Sequence, residues 1–398
     1  MTSPLMMMLV ALTAAHLLGE LFTRLGLPRV VGQITAGIAI GITAIKPTIF
    51  TAENTQLLSF LANLGVILMF YYIGLKTDFQ AFAKGAKSAV TISLFNTLIP
   101  FALTFLTLRH FFHFDVVSSA IIGIATSVSA QAISLDLLEE LRIIRSRIGQ
   151  RIIATGAIDD IIELLFIGIL LSALRLATAN FAHLLAEIAI FISIVTAARI
   201  WFVPATIRYF KTEKSGTARF TASIIVVLLI AALSEMLGIG ALIGAIMAGI
   251  IVRQTLHKDR TLPELDTNDI SKTIHTISFG FLIPLFFVWI GLATDLSSIA
   301  GNIWLITLLV LSSTIGTVGS TLLAVLLNKG SVHEGLLLGW GLNPKGDIEL
   351  VIATLALKAG LLTQQLFTSV VVMSLATSVI SAIVFKALVV KYGKGKQA

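Results

Sequence analysis

An all-α protein that crosses a membrane many times is the fold class this sequence predicts. Three observations carry the prediction. Of 398 residues, 57% are hydrophobic and only 12% charged, where soluble domains carry about a quarter, and mean hydropathy is +0.98. Apolar runs of roughly 17–25 residues, the length a bilayer demands, recur from one end of the chain to the other. The connectors between them are short, and none has room for a soluble domain.

The elements follow from those runs. Thirteen spans are expected, at 4–22, 27–45, 57–75, 88–108, 116–135, 152–173, 181–203, 220–237, 239–252, 274–292, 303–327, 335–357 and 362–388. Met1 to Val10 carry no basic residue, so the first run reads as a span rather than a signal peptide. The absence of cysteine excludes disulfides, thiolate metal sites and a thiol nucleophile. The formal charge of +7 does not point to a nucleic-acid partner, because the basic residues are spread over short loops. They set topology instead. With the N-terminus outside, 23 of the 28 Lys and Arg residues fall on the cytoplasmic side and four outside, while Lys345 is left deep inside a span. The C-terminus is then cytoplasmic, in a cell (inner or plasma) membrane.

Depth singles out the polar residues. The sixth span holds "TGAIDDIIELL" (155–165), with Asp159, Asp160 and Glu163 in an otherwise apolar run. The aspartates lie eight or nine residues from Arg151, roughly 12–14 Å and close to the midplane. At similar depth the fifth span reads "ATSVSAQAIS" (125–134) and the twelfth "GLNPKGDIE" (341–349). The first clusters Ser, Thr and Gln; the second sets Pro344 and Gly346 beside Asn343, which breaks a helical hydrogen-bond ladder. Interrupted backbone survives at that depth only where protein or a watery cavity satisfies it. Two broken helices and a carboxylate pair therefore predict a binding site. Spans 4–6 and 11–13 each carry the interruption in the middle position and enter from opposite sides, the pattern of an inverted repeat in a secondary transporter.

These blocks resemble the sodium/hydrogen exchanger domain of the monovalent cation:proton antiporters, in the branch with NapA-type and Kef-type proteins. The matching stretches are "LGLPRVVGQITAGIAIG" (25–41), "LANLGVILMFYYIGLKTDF" (61–79), "TSVSAQAISLDLLEEL" (126–141), "TGAIDD" (155–160), "LSEMLGIGALIGAIMAGIIV" (233–252), "PLFFVWIGLATDL" (284–296) and "GLNPKGDIELVIA" (341–353). They stand in family order over nearly the whole chain. The resemblance implies an NhaA/NapA-like fold whose two broken helices cross at the midplane. It divides the chain into dimer-type helices (about 1–80 and 218–295), a linker helix (about 179–210) and core ion-transport helices (about 86–175 and 300–390). It also implies a homodimer, Na⁺ or K⁺ and protons as the transported partners, and no cofactor. Asp160 takes the position that binds cation and proton alternately. Asp159 takes the position that helps define the electrogenic branch, where a Lys in the span before the second break commonly pairs with it; here that position aligns with Thr317. Lys345 and Asp347 stand where relatives often have Arg and Glu. Kef-type proteins append a nucleotide-binding domain; no Rossmann fingerprint follows the last span in these 398 residues, so no soluble regulatory domain is expected within them.

The chemistry suits those residues. A midplane carboxyl that is either protonated or ionised with Na⁺ or K⁺ bound is near neutral in both loaded states, and one group serves both ions by competition. Thr126, Ser127 and Ser129, through hydroxyls and backbone carbonyls, supply hard oxygen ligands in place of the cation's water. The alternative makes Asp160 a structural hydrogen-bond acceptor, but ionisable residues in a span are functional by default. Asp159 points about 100° away from Asp160. With Thr317 in place of Lys it has no fixed cationic partner, which predicts that Asp159 is neutral in the empty site or joins Asp160 in holding the Na⁺ or K⁺; a neutral Asp159 gives electroneutral exchange unless Lys345 substitutes. Glu163 lies near the same face and either extends the ion path or bonds a neighbouring helix. Lys345, Asp347 and Glu349 serve as accessory groups or as ion pairs that compensate helix dipoles at the break. An intramembrane aspartyl protease is disfavoured, since its carboxylates face each other from two helices and here they are consecutive on one. The remaining alternative is Kef-like potassium efflux or channel-type conduction, and a channel would need no titrating midplane carboxylate.

Overall fold

A computed structural model describes residues 3–43, 45–76, 87–156, 158–159, 162, 181–206, 216–237, 239–258 and 265–392. Helix is the regular structure throughout, with no strand among the described residues. Eight described helices are long and apolar enough to cross a membrane, and three shorter apolar helices accompany them. Their large side chains face outward in number, Leu5, Leu17, Phe60, Trp201 and Trp304 among them, as a lipid-facing surface requires.

The chain divides into two compact units. The first comprises Met1–Leu12, Pro47–Asp78 and Leu171–Trp289. In it, the long helices Ala52–Lys76, Gly216–Met236 and Ala241–Lys258 pack together. Gly74 and Gly249 bring two of these helices into backbone contact: a Cβ on Gly74 would run into Ile246 O, and one on Gly249 into Tyr71 O. Tyr71 and Ser223 share a buried hydroxyl–hydroxyl hydrogen bond across the same bundle.

The second unit comprises Thr13–Lys46, Phe79–Leu170 and Ile290–Ala398, and it carries the residues of interest. We number its principal helices in chain order: α1 (Arg29–Ile42), α2 (Lys87–Phe111), α3 (Val116–Ser127), α4 (Gln131–Glu140), α5 (147–156, with 158, 159 and 162 also helical), α6 (Ile303–Leu327), α7 (Val332–Leu342), α8 (Ile348–Lys358) and α9 (Gln364–Tyr392). Asp115 starts α3 by accepting from Ser118 N–H at 2.9 Å, and Ser331 starts α7 by accepting from Glu334 N–H at 3.2 Å; both satisfy N–H groups that a helix start leaves open. α2 and α6 pack tightly because Gly316 lies flat against Pro100: an added Cβ would sit 2.7 Å from Pro100 Cα. A core of Ile92, Ile133, Leu137, Leu138, Leu338 and Phe385 joins α2, α4, α7 and α9.

Both expected interruptions are present. α3 stops at Ser127, Val128 is extended (φ −72°, ψ 142°), and helix resumes at Gln131. α7 stops at Leu342 and α8 begins at Ile348. Helical residues occur within every expected span, the sixth being described only in part.

Candidate functional site

The two interruptions satisfy each other. At the first, the Thr126 and Ser127 hydroxyls turn back on their own helix, each donating at 2.8 Å to Gly123 O and Ile124 O respectively. Serine and threonine compete in this way with the backbone ladder. The turn frees the N–H of Ala130, which donates to Pro344 O at 2.8 Å in the second break. Pro344 has no N–H to lose, so the residue that interrupts one helix provides the acceptor for the other. Ser134 Oγ adds a second tie, donating to Gly341 O at 2.6 Å.

Asp159 of α5 lies beside this crossing with no solvent exposure. Asn96 of α2 donates from Nδ2 to Asp159 Oδ2 at 2.9 Å and to Ser129 Oγ at 3.0 Å. One amide thus joins the carboxylate helix to the first break. Ser93, one turn earlier on α2, also faces the carboxylate, but without the geometry of a full hydrogen bond. Ser93 Oγ, Asn96 Oδ1, Asp159 Oδ1 and Thr155 Oγ1 are all buried and have no hydrogen-bond partner among the described residues. Such orphans are rare inside proteins. As a set they are hard oxygen donors, the chemistry suited to an alkali cation or to water. Gly156 makes room there, since a Cβ would overlap the side-chain amide of Gln131.

A second group gathers around the other break. Lys345 is completely buried, and its Nζ lies 3.5 Å from Thr317 Oγ1 on α6. Burial is the main influence on Asp159, Asp347 and Glu349, and the same ammonium lies within electrostatic reach of all three as a smaller one. Asp347 accepts from Ile348 N–H at 2.8 Å and caps α8. Glu349, fully buried, accepts from Ser374 Oγ at 2.8 Å and from Asp347 N–H at 3.3 Å. Hydroxyls of α9 support the break along its length: Ser374 bonds Glu349, Ser378 donates to Lys345 O, and Ser381 accepts from Asn343 Nδ2 at 2.8 Å.

Of the residues singled out from sequence, Asp159, Ser129, Thr317, Lys345, Asp347 and Glu349 all fall in this region. Thr126 and Ser127 are fully buried there too, but their hydroxyls serve helix carbonyls, and Thr126 Oγ1 also meets Thr104 Oγ1 at 2.9 Å. Asp160 and Glu163 lie outside the described residues. Lys345, the one substitute the sequence offered for the missing lysine, brings its ammonium to Thr317, the position that the resemblance aligns with that lysine. Sequence reading missed Asn96, Ser93 and the α9 hydroxyls. The signals were an amide within the apolar "SLFNTLIP" (93–100), and hydroxyl residues at 374, 377, 378 and 381 with helical spacing.

The comparisons agree with one another. The family profile for the transmembrane sodium/hydrogen exchanger matches residues 8–391. The Na⁺/H⁺-K⁺ antiporter GerN of Bacillus cereus is 26% identical over 370 residues, covering 93% of this chain and 92% of that protein. A Na⁺/H⁺ antiporter of Enterococcus hirae is 26% identical over 384 residues, covering 94% and 95%. Among solved structures, the sodium proton antiporter MjNhaP1 of Methanocaldococcus jannaschii superposes with a TM-score of 0.69 over 98% of both chains at 13% identity. That last likeness shows the fold.

Proposed function

This chain belongs to the sodium/hydrogen exchanger family of multi-pass membrane transporters, and from that premise we propose that it exchanges a monovalent cation for protons by alternating access. Na⁺ is the first candidate and K⁺ the second. The observation that carries the reading is the buried Asp159 joined through Asn96 to Ser129 at the crossing of two interrupted helices, among buried oxygens without a hydrogen-bond partner among the described residues. Asp160, the next residue, is the shared carboxylate: protonated in one crossing, ionised with cation bound in the other. Ser129, with the backbone of Thr126 and Ser127, contributes oxygen ligands. Asp159 orders the site with Asn96, and Lys345 supplies the buried positive charge that Thr317 cannot. With Asp160 alone cycling, one proton exchanges for one cation and the cycle is electroneutral; net charge movement requires a second group that gives up a proton.

The second unit carries the ions in this reading, and helices of the first form the homodimer contact. The N-terminus is outside, the C-terminus cytoplasmic, and the membrane is the inner or plasma membrane. The test is reconstitution into liposomes with an internal pH dye and clamped potential, adding Na⁺, K⁺ and Li⁺ in turn. Cation-driven proton flux is expected in wild type and lost in Asp160→Asn, which keeps the volume but cannot cycle a proton. Full exchange by folded Asp160→Asn would remove Asp160 from this role. Cation conductance without opposing proton flux would replace exchange with a channel.

A further inference from the structure

The Lys345 cluster holds more negative charge than the exchange at Asp160 accounts for. One buried ammonium acts on three carboxyl groups, Asp159, Asp347 and Glu349. If all were ionised, the cluster would carry two excess negative charges in a dry region, where unpaired charge is strongly disfavoured. The three carboxyls are not equivalent. Asp159 accepts a directed bond from Asn96. Asp347 is partly exposed and caps the first N–H of α8, an arrangement that favours the anion. Glu349 has neither exposure nor a direct cationic contact. Its Oε1 meets the Ser374 hydroxyl and its Oε2 the N–H of Asp347. A hydroxyl can donate to a carboxylate or, by turning, accept from a protonated carboxyl. The Ser374 contact is therefore compatible with both protonation states.

Among the described residues, few titratable groups face Glu349. α3, which packs on α8, has no titratable residue within Val116–Ser127. α9 also packs on α8; its Lys386 is twelve residues beyond Ser374, roughly 18 Å along the helix. On α8 itself, Lys358 lies nine residues from Glu349, roughly 13 Å. Among the described residues, Asp347 and then Lys345 are thus the charged groups that act on it, beside its burial. A cation loading beside Asp159 adds a positive charge to the cluster and weakens the hold on a proton at Glu349.

Building on the antiport reading, we propose that Glu349 is a second proton-carrying carboxylate of the exchange, protonated in the cation-free unit and ionised when the cation is bound. On loading, the Glu349 O–H bond breaks, the carboxylate keeps the electron pair, and the proton passes to water on the side to which the unit is open. Together with Asp160, two protons then leave for each cation that enters.

The test uses the purified full chain in weakly buffered detergent with a pH dye, adding NaCl, KCl or choline chloride as control. Infrared difference spectra are recorded on the same additions. Wild type is expected to release two protons per cation bound and to lose a protonated-carboxyl carbonyl band. Glu349→Gln is expected to release one, with the Glu349 contribution to that band gone. Equal proton release and an unchanged band in Glu349→Gln would overturn the proposal while leaving the antiport reading standing. Absence of cation-dependent release in wild type would overturn both. Should Glu349→Gln fail to fold, Ser374→Ala decides: loss of the hydroxyl is expected to shift the carbonyl band and move the pH midpoint of release, and the absence of both changes would overturn the proposal.

Discussion

Removing the amide of Asn96 reads the charge on Asp159 directly. The bond from Nδ2 to Oδ2 is 2.9 Å, ordinary in length and fully buried, so solvent does not screen it. A hydrogen bond to an ionised partner contributes about 1.5–3 kcal/mol; interhelical bonds within membranes average about 0.6 kcal/mol. A double-mutant cycle of Asn96→Leu and Asp159→Leu separates the cases, because the loss of the Ser129 contact occurs in both legs containing Asn96→Leu and cancels. With Asn96 donating to Oδ2, we expect an ionised carboxylate and a coupling of about 1.5–3 kcal/mol, roughly 10–150-fold in the unfolding equilibrium. The assay is reversible unfolding in mixed micelles at neutral pH without added Na⁺ or K⁺. A coupling of about 0.6 kcal/mol or less would mean that Asp159 is neutral in the empty site, and the role given to Lys345 would fall with it.

Other consequences are as direct. Apparent cation affinity should weaken as pH falls, because protons and cation compete for Asp160; a half-saturating concentration constant across about pH 5.5–8.5 would require separate sites. Thr317→Lys places a second ammonium beside Lys345, which lies 3.5 Å from Thr317 Oγ1, a repulsion of about 4 kcal/mol at an effective dielectric of 20. That variant should be unstable, and adding Lys345→Thr should recover folding and part of the exchange current; a stable, fully active single variant would contradict the geometry. Gly74→Ala should lower the stability of the first unit by about 1–3 kcal/mol through overpacking against Ile246 O, with proton release per folded molecule unchanged. Differential scanning of the variant with a release assay on the folded fraction checks both halves of that statement.

The helices and both interruptions were legible because their causes are local. Span length is set by the bilayer, Pro344 removes a donor, and the run of hydroxyls at 126–129 offers the backbone a competing set of bonds. The meeting of Ala130 N–H with Pro344 O was not legible, since nothing in either stretch names its partner. Asn96 escaped for a related reason: one amide in a span can serve any neighbour, and only the packing of α2 against α5 assigns it to Asp159. Lys345 shows the limit most clearly. Aligned by position it belongs to the second break, and only its folded course brings its ammonium to Thr317, so a reading along the chain could name it as a substitute for the missing lysine but could not place it.

The bond between Ala130 and Pro344 also has a bearing on biosynthesis. Its two ends are about two hundred residues apart in the chain, which a ribosome covers in about 10–40 s. During that interval the first interrupted segment is already made while its acceptor does not exist. An unsatisfied N–H is not tolerated in lipid, so residues 126–130 must wait either as unbroken helix or with water at Ala130. The interruption takes its final form only once the second half of the chain arrives, which makes the crossing a late event in assembly.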